Sequence, residues 1–402
     1  MIFDLNRMKI FMDSLQNPQN LFQAIHIAGT NGKGSVAKMF YSILKAAHKK
    51  VGLYTSPHLQ KIQERFQASG KQISSADLSR LTFFLKNHVQ RRMFPFNSLT
   101  QFEFLTALSF LWLAEQKVEY SVIETGLGGR LDATNVMGNV VLAVITNVDL
   151  EHTQLLGKTR REIAFEKAGI IKKNIPVITG AKGEARNAIK EMARLKKAPV
   201  YYVPALKLRP PWLPRFFPLQ GRHQWHNAAI VKKGISLIPD LERIKPRKFK
   251  EGLRKAVWPG RFEKFEFKYF GKKRIVFLDG AHNPAAAKAL KDTLLDQGIN
   301  KVVLLWGMLK DKDRRKFIQE LAPFIVKAAV VTLPSPRTCD PKVLSMEKAL
   351  QGKFYIGKNL EDGWMWSLRE SGEVPLLVTG SLYLVGAVRG LAPLRNVHPN
   401  LD

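Results

Sequence analysis

A lysine set among glycines and hydroxyl side chains can hold a phosphate. Gly29-Thr30-Asn31-Gly32-Lys33-Gly34-Ser35 supplies that combination. The glycines let backbone N–H groups approach phosphate oxygens. Lys33 brings a full positive charge, and the Ser35 hydroxyl can reach a phosphate or its magnesium. The stretch departs from the common P-loop pattern, which wants Gly where Ile27 stands and Ser or Thr where Gly34 stands. The plain alternative is an ordinary Gly-rich strand-to-helix turn.

The flanking segments decide against that alternative. Ala24-Ile25-His26-Ile27-Ala28 is a short apolar run that reads as a buried strand. Val36, Phe40, Ile43, Leu44 and Ala47 mark one face of a helix. A helix N-terminus after a strand adds favourable potential for an anion. Three more candidates fall at strand ends. Ser56 follows the strand Val51–Tyr54, in a loop that Pro57 keeps out of helix. Glu124 closes the strand 120–124, where an acid suits magnesium. His152 lies just beyond the buried run Val140–Thr146. Loops after parallel strands gather on one edge, so Lys33, Ser56, Glu124 and His152 are expected there together. Singly, each has a blander reading: turn chemistry, a surface acid, a structural histidine. Four on one edge favour function. Thr159-Arg160-Arg161-Glu162 reads as a capping box starting a helix, with Lys167 near its end. A cation in a last turn is the bland reading of Lys167.

Further on, Pro176–Gly180 reads as a strand. From there to about Leu219 the proline-rich, basic text reads as irregular or peripheral strand. A helix opens over 221–227. Trp258-Pro259-Gly260-Arg261 breaks regular structure. Beyond it the pattern restarts: strand Arg274–Leu278, loop Asp279–Pro284, helix Ala285–Leu295, then strands at Lys301–Trp306, Ala328–Leu333 and Pro375–Thr379. Alternating strands and helices imply an α/β chain of two domains, 1–258 and 259–402, the second with its own doubly wound parallel sheet. Substrates are then expected in the cleft between domains.

Composition narrows the class. The 402 residues are 45% hydrophobic and 24% charged, as in globular proteins. No apolar run approaches the length of a membrane helix. Asp4 and Asp13 among the first apolar residues argue against a signal peptide. Cys339 is the only cysteine, which excludes an internal disulfide and a cysteine-cluster metal site and fits a reducing cytoplasm. Lys and Arg number 64 against 33 acids, so polyanions are attracted. Nucleic acid, nucleotides and polycarboxylates all qualify. The densest run, Arg243 to Lys255, reads as a solvated basic helix face. No RNA-binding aromatic signature, zinc finger or basic zipper is present, so no specific nucleic-acid partner is expected.

Seven segments together resemble one family. Gly29–Ser35, Thr55–Leu59, Gly126–Asn135, Glu166–Ile170, Trp258–Arg261, Asp279–Pro284 and Thr379–Leu384 occur in the order and approximate spacing of the folylpolyglutamate synthase / dihydrofolate synthase family. These are Mur-ligase-like, ATP-dependent amide ligases. The resemblance runs from about Arg7 to Arg389 and implies an N-terminal P-loop ATPase domain with a smaller, Rossmann-like C-terminal domain. It implies that the γ-phosphoryl of ATP passes to a substrate carboxylate, and that an amine, typically of glutamate, then expels phosphate.

Residue by residue, the resemblance puts the Gly29, Thr30, Asn31, Gly32, Lys33, Gly34 and Ser35 loop on the nucleotide phosphates. Ser35, Ser56, Glu124 and His152 match magnesium-holding positions, and Lys167 matches a lysine that carries a carbamate and supports a second magnesium. Asn227, in Gln-x-x-Asn, matches a nucleotide contact. Arg261 matches an arginine after the hinge that reaches the phosphates, and Asp279 and His282 match residues that face ATP. Phe102 and Glu103 match a pair near the pterin. Two departures stand out. Glu151 precedes His152 where Asp is commoner, and Val136-Met137-Gly138-Asn139 lacks the acid that bifunctional members often carry. The expected partners are ATP, L-glutamate and a folate or dihydropteroate, acting on a cytoplasmic monomer. A Mur ligase for a UDP-linked peptide is the nearest rival. Its usual extra N-terminal domain would have no room before Gly29. A basic P-loop nucleic-acid binder is the rival from another class. A non-catalytic relic is disfavoured because each expected ligand position is occupied.

Overall fold

The protein is described here by a computed structural model covering residues 4–91, 99–391 and 394. The chain divides into two compact units, Met1–Phe217 with Gln224–Ala256, and Pro218–His223 with Val257–Asp402. Pro218–His223 joins the second unit through Arg222, whose guanidinium pairs with both Asp296 oxygens at 3.0 and 2.6 Å.

The first unit is built on an eight-stranded sheet. Its strands are β1 (Gln23–Ala28), β2 (Val51–Tyr54), β3 (Phe66–Ala68), β4 (Lys71–Gln72), β5 (Tyr120–Glu124), β6 (Val140–Ile145), β7 (Val177–Thr179) and β8 (Val200–Tyr202). Their order is β4-β3-β2-β5-β1-β6-β7-β8. The strands from β2 to β8 run parallel, while β3 and β4 add an antiparallel edge. The helices are α1 (Leu5–Ser14), α2 (Lys33–Ala46), α3 (Ser75–Arg91), α4 (Gln101–Glu115), α5 (Thr153–Leu156), α6 (Arg160–Ala168), α7 (Gly183–Leu195), α8 (Arg222–Ile235), α9 (Pro239–Glu242) and α10 (Pro246–Arg254).

Strand alternation sorts the core into two faces. Ala24 packs with buried residues of α1, α3 and α4, and Ala28 with those of α6 and α7. The opposite face carries α2, α8 and α10. There Gly234 of α8 lets Phe40 and Leu142 approach, and Gly252 of α10 lies so close to α2 that a Cβ would stand 2.4 Å from Ile43 Cα. Helix α7 corrects the expectation of irregular structure after β7. Ala185, Ala188, Ile189 and Ala193 recur at helical spacing and are buried. An apolar face made mostly of alanine buries little area per residue, so proline and charge dominate the text around it.

The second unit has six strands: β9 (Glu263–Tyr269), β10 (Lys272–Leu278), β11 (Val302–Trp306), β12 (Ile325–Val330), β13 (Phe354–Ile356) and β14 (Leu376–Thr379). The order is β13-β12-β11-β14-β10-β9. All pairs are parallel except β9 with β10, so the sheet is mixed rather than wholly parallel. Around it lie α11 (Pro284–Asp296), α12 (Arg314–Leu321), α13 (Pro341–Ser345), α14 (Leu360–Ser371) and α15 (Leu382–Arg389). Asn283 caps α11 by accepting from the Ala286 amide, with Pro284 at the first position.

Candidate active site

Four neighbouring strands, β2-β5-β1-β6, end on the same edge and deliver the candidate residues in turn. Ser56 follows β2, Glu124 closes β5, the 29–35 loop follows β1, and the 146–152 segment follows β6. Parallel register sets Tyr54 beside Ile123 and Ile27 beside Glu124. Glu124 therefore stands between the Ser56 loop and the phosphate loop. It is buried, and its Oε2 accepts the Ser56 amide at 3.3 Å. The carboxylate and hydroxyl are hard oxygen donors of the kind magnesium takes.

The phosphate loop is laced to the segment after β6. Asn147 Oδ1 accepts the Asn31 amide at 2.8 Å, and the Asn147 carbonyl accepts the Thr30 amide at 3.0 Å. Thr146 Oγ1 donates to the Asn31 carbonyl at 2.6 Å. Thr30 Oγ1 exchanges bonds with the Asp149 backbone. Gly29 sits at φ +154°, and a Cβ there would meet Thr146 Oγ1 at 1.9 Å, which explains the glycine. Gly32, at φ +82°, caps α2 without a side-chain bond. The first-turn amides of α2 thus have no intrahelical acceptor and no capping oxygen. Ser35 Oγ, nearly inaccessible, accepts from Gln224 Nε2 at 3.2 Å, and Asn227 Nδ2 donates to Gln224 Oε1 at 3.0 Å. Gln224 thereby ties the Gln-x-x-Asn motif to the phosphate loop.

Lys33 and Lys167 meet at one atom. Lys33 Nζ donates to the Gly29 carbonyl at 3.0 Å, and Lys167 Nζ donates to the same oxygen at 3.1 Å. Lys167 is 4% exposed. Burial, reinforced by the Lys33 charge, pushes its amine down to about 7. Glu151 and Asp132 oppose that shift, while the acids of α6 itself are engaged elsewhere. Glu166 binds Arg130 at 2.8 Å, and Glu162 closes the capping box on Thr159.

The Gly-rich segment 126–135 is fastened to the end of α6. A Cβ on Gly129 would stand 2.8 Å from the Lys167 carbonyl oxygen, and one on Gly169 would stand 2.4 Å from Arg130 Cα. The Asn135 amide donates to the Arg130 and Gly169 carbonyls, and Lys172 donates to Asn135. Asp132 accepts from the Leu127 and Thr134 amides and from Thr134 Oγ1. Because that hydroxyl spends its proton on Asp132, His26 Nε2 must donate to Thr134, at 2.8 Å. Burial pushes the His26 imidazole down to about 3, so it is neutral.

His152 is in the left-handed region, φ +51°, at the N-cap of α5. Phe102 lies against Gly126, whose Cβ would meet its ring at 2.5 Å. Glu103 is built into the capping box of α4. Its Oε2 accepts the Thr100 amide at 2.6 Å, and its Oε1 binds Arg7 at 2.7 Å. Both oxygens already serve the fold, and Arg7 is a partner that sequence reasoning did not single out. The 136–139 segment is half core: Met137 is buried and the Gly138 amide donates to Asn20.

In the second unit, Asp279 accepts the Phe262 and Ala281 amides at 2.8 and 2.9 Å. Burial pushes its carboxyl up, opposed by Arg261. Arg261 donates to the Gly260 carbonyl at 3.2 Å. The His282 Nδ1 bonds the Gly280 carbonyl at 2.8 Å, which fixes that nitrogen as the protonated one.

Known proteins match this arrangement along both units. The Mur ligase middle domain matches residues 27–205, and the Mur ligase, glutamate ligase domain matches 260–379. The folylpolyglutamate synthase of Lacticaseibacillus casei is 32% identical, with 96% of this chain and 94% of that protein covered. The dihydrofolate synthase/folylpolyglutamate synthase of Bacillus subtilis is 33% identical with the same coverage. Among solved structures, Mycobacterium tuberculosis folylpolyglutamate synthase complexed with ADP has a TM-score of 0.89 at 29% identity, covering 100% of this chain and 96% of that one. E. coli FolC in complex with DHPP and ADP has a TM-score of 0.83 at 27% identity, covering 98% and 94%. With nearly full-length relatives at this identity, the chain belongs to the folylpolyglutamate synthase/dihydrofolate synthase family of Mur-type, ATP-dependent ligases.

Proposed function

We propose that this chain joins L-glutamate to a folate through an acyl phosphate. A folate carboxylate oxygen attacks the γ-phosphorus of ATP, and the bond to the β–γ bridging oxygen breaks, releasing ADP. The glutamate amine then attacks the acyl carbon, loses a proton, and phosphate leaves with the bonding pair. A carboxylate is a poor acyl donor, and phosphorylation supplies the leaving group. Two polyanions must meet, so cationic and backbone donors have to offset their repulsion.

The observation that carries this reading is the convergence of Lys33 and Lys167 on the Gly29 carbonyl, beside uncapped α2 amides. Lys33 and those amides are proposed to hold the β- and γ-phosphates, with Thr30, Asn31 and Asn227 shaping the nucleotide site. Ser35, Ser56, Glu124 and His152 would hold magnesium, which draws charge off the phosphoryl oxygens when bound. Lys167 is proposed to react, as its neutral amine, with carbon dioxide. A C–N bond forms, one proton leaves, and the product is a carbamate anion suited to a second magnesium. One N–H remains, so the bond to Gly29 can persist. Arg261, Asp279 and His282 are proposed as nucleotide residues of the second unit, with Asp279 acting through the backbone it fixes. Phe102 is proposed on the pterin side, and Glu103 as the residue that positions α4.

The paired name of the Bacillus subtilis relative, dihydrofolate synthase/folylpolyglutamate synthase, keeps dihydropteroate beside reduced folates as candidate substrate. Phosphate release with ATP, magnesium and glutamate, compared between dihydropteroate and tetrahydrofolate, tests the reading. Release that needs neither glutamate nor a pterin substrate would refute it.

A further inference from the structure

The segment that carries Arg261 is held by residues outside its own motif. Gly260 and Phe262, on either side of Arg261, both have left-handed backbone, at φ +70° and +49°. Glycine adopts that region freely, whereas phenylalanine enters it at a cost and stays only where its surroundings hold it. Two carboxylates hold this turn. Asp279 Oδ2 accepts the Phe262 amide at 2.8 Å, and Glu263 Oε2 accepts the Gly260 amide at 2.9 Å. The Phe262 ring stacks on Phe277, with centroids 4.6 Å apart. The Gly260 carbonyl accepts the Gly280 amide at 2.9 Å, so both ends of Gly260 are bonded.

That carbonyl also seats the guanidinium of Arg261. Arg261 Nη1 donates to it at 3.2 Å and lies against Gly280, where a Cβ would stand 2.5 Å from the same nitrogen. Among the described residues Arg261 is bonded to no carboxylate, which leaves its charge for a ligand. Arg389, at the end of α15, is the opposite case. Its Nε lies 3.2 and 3.0 Å from the two Glu263 oxygens, and its Nη2 lies 2.8 Å from Oε1. The Arg389 guanidinium also sits 5.9 Å from the centre of the Phe265 ring. Glu263 is buried. A buried ion pair adds little stability over apolar residues of similar size, and its best-attested use is to specify one geometry. The geometry specified here is that of the Gly260 peptide.

We propose that Glu263 and Arg389 are positioning residues for Arg261. The pair fixes the Gly260 peptide, and the Gly260 carbonyl in turn holds the Arg261 guanidinium in the pose that meets the nucleotide phosphates. This rests on the assignment of Arg261 to the nucleotide made above.

Steady-state kinetics with ATP, magnesium, glutamate and tetrahydrofolate test it in Glu263→Gln, Arg261→Ala and the double variant. Glu263→Gln keeps the volume, but its single amide oxygen cannot serve Gly260 and Arg389 as two carboxylate oxygens do. We expect kcat/KM for ATP to fall about tenfold in Glu263→Gln, with KM for glutamate and tetrahydrofolate within about twofold of the parent. Arg261→Ala should lose at least about a hundredfold. The double variant should match Arg261→Ala within about twofold, because nothing is left to position. Glu263→Asp is the second variant. It keeps the charge opposite Arg389 but draws the carboxylate back from Gly260, and its loss should likewise vanish in the Arg261→Ala background. Parent ATP kinetics in both Glu263 variants would overturn the proposal. So would an equal fold-loss with and without Arg261, which would assign the pair to the fold alone. Parent ATP kinetics in Arg261→Ala would be a different failure, overturning the placement of Arg261 on the nucleotide and this inference with it.

Discussion

Lys33 and Lys167 donate to the same carbonyl oxygen, that of Gly29. They come from opposite sides of the sheet edge, one from the first turn of α2 and one from the last turn of α6. Burial, with the Lys33 charge added to it, pushes the Lys167 amine down to about 7. The arrangement prepares Lys167 to lose its proton.

Lys33→Ala should abolish turnover while sparing the fold. Its ammonium is the full charge at the loop, and its two bonds go to backbone carbonyls of the same loop. We expect phosphate release to fall at least about a hundredfold, ~2.7 kcal/mol in barrier, with thermal unfolding shifted by only about 2 °C. Turnover within about tenfold of the parent would contradict a direct phosphate role.

Gly169→Ala should destabilise the first unit. The added methyl carbon would stand 2.4 Å from both Arg130 Cα and Cβ, and backbone cannot swing aside as a side-chain tip can. Separating α6 from the Gly-rich segment should cost about 1–3 kcal/mol, read by denaturant unfolding. Activity should fall too, because Lys167 lies two residues earlier. An unchanged unfolding midpoint would mean that the contact relaxes freely.

Tetrahydrofolate should be used better than dihydropteroate. Where an acid could grip the pterin, Val136 is half-buried and Met137 is committed to the core. Comparing phosphate release with each substrate gives the answer. Equal rates would show that this segment does not choose between them.

Much of this site could be read from the chain because loops after parallel strands share an edge. Ser56, Glu124, Lys33 and His152 needed only correct strand assignments to be placed on neighbouring ends. What could not be read were the residues that act through a bond to the site. Asn147 and Thr146 lace the phosphate loop, yet in sequence they are an ordinary polar pair after a strand. Arg7 finds Glu103 across 96 residues, and nothing local signals that pairing. Glu103 has a local duty beside the one expected of it. Its spacing from Thr100 is a capping box, and that local duty occupies an oxygen assigned to substrate. Helix α7 was hidden because its buried face is mostly alanine.

The pH response of Lys167 tests the carbamate most directly. Only the neutral amine attacks carbon dioxide. With its amine near 7, about half is neutral at pH 7 and about nine-tenths at pH 8. Incorporation of labelled carbon dioxide, followed by carbon NMR, should therefore rise steeply from pH 6 to 8. A lysine at its ordinary value would give little below pH 9. The same depression fixes the sign of a stability effect. The unfolded chain holds this proton up to about pH 10, whereas the folded chain releases it near pH 7, so stability rises with pH across that window. It is lost as pH falls through 7. Lys38 and Lys172 are also depressed, each to about 8, so the reading must be the difference between the parent and Lys167→Met in carbon-dioxide-free buffer. That variant should show a flatter rise of unfolding free energy between pH 7 and 10. Lys167→Arg should lose activity as well, because a guanidinium keeps the positive charge at every accessible pH. A fully active enzyme with no carbon dioxide label at Lys167, at pH 8, would sink the carbamate and the second magnesium with it.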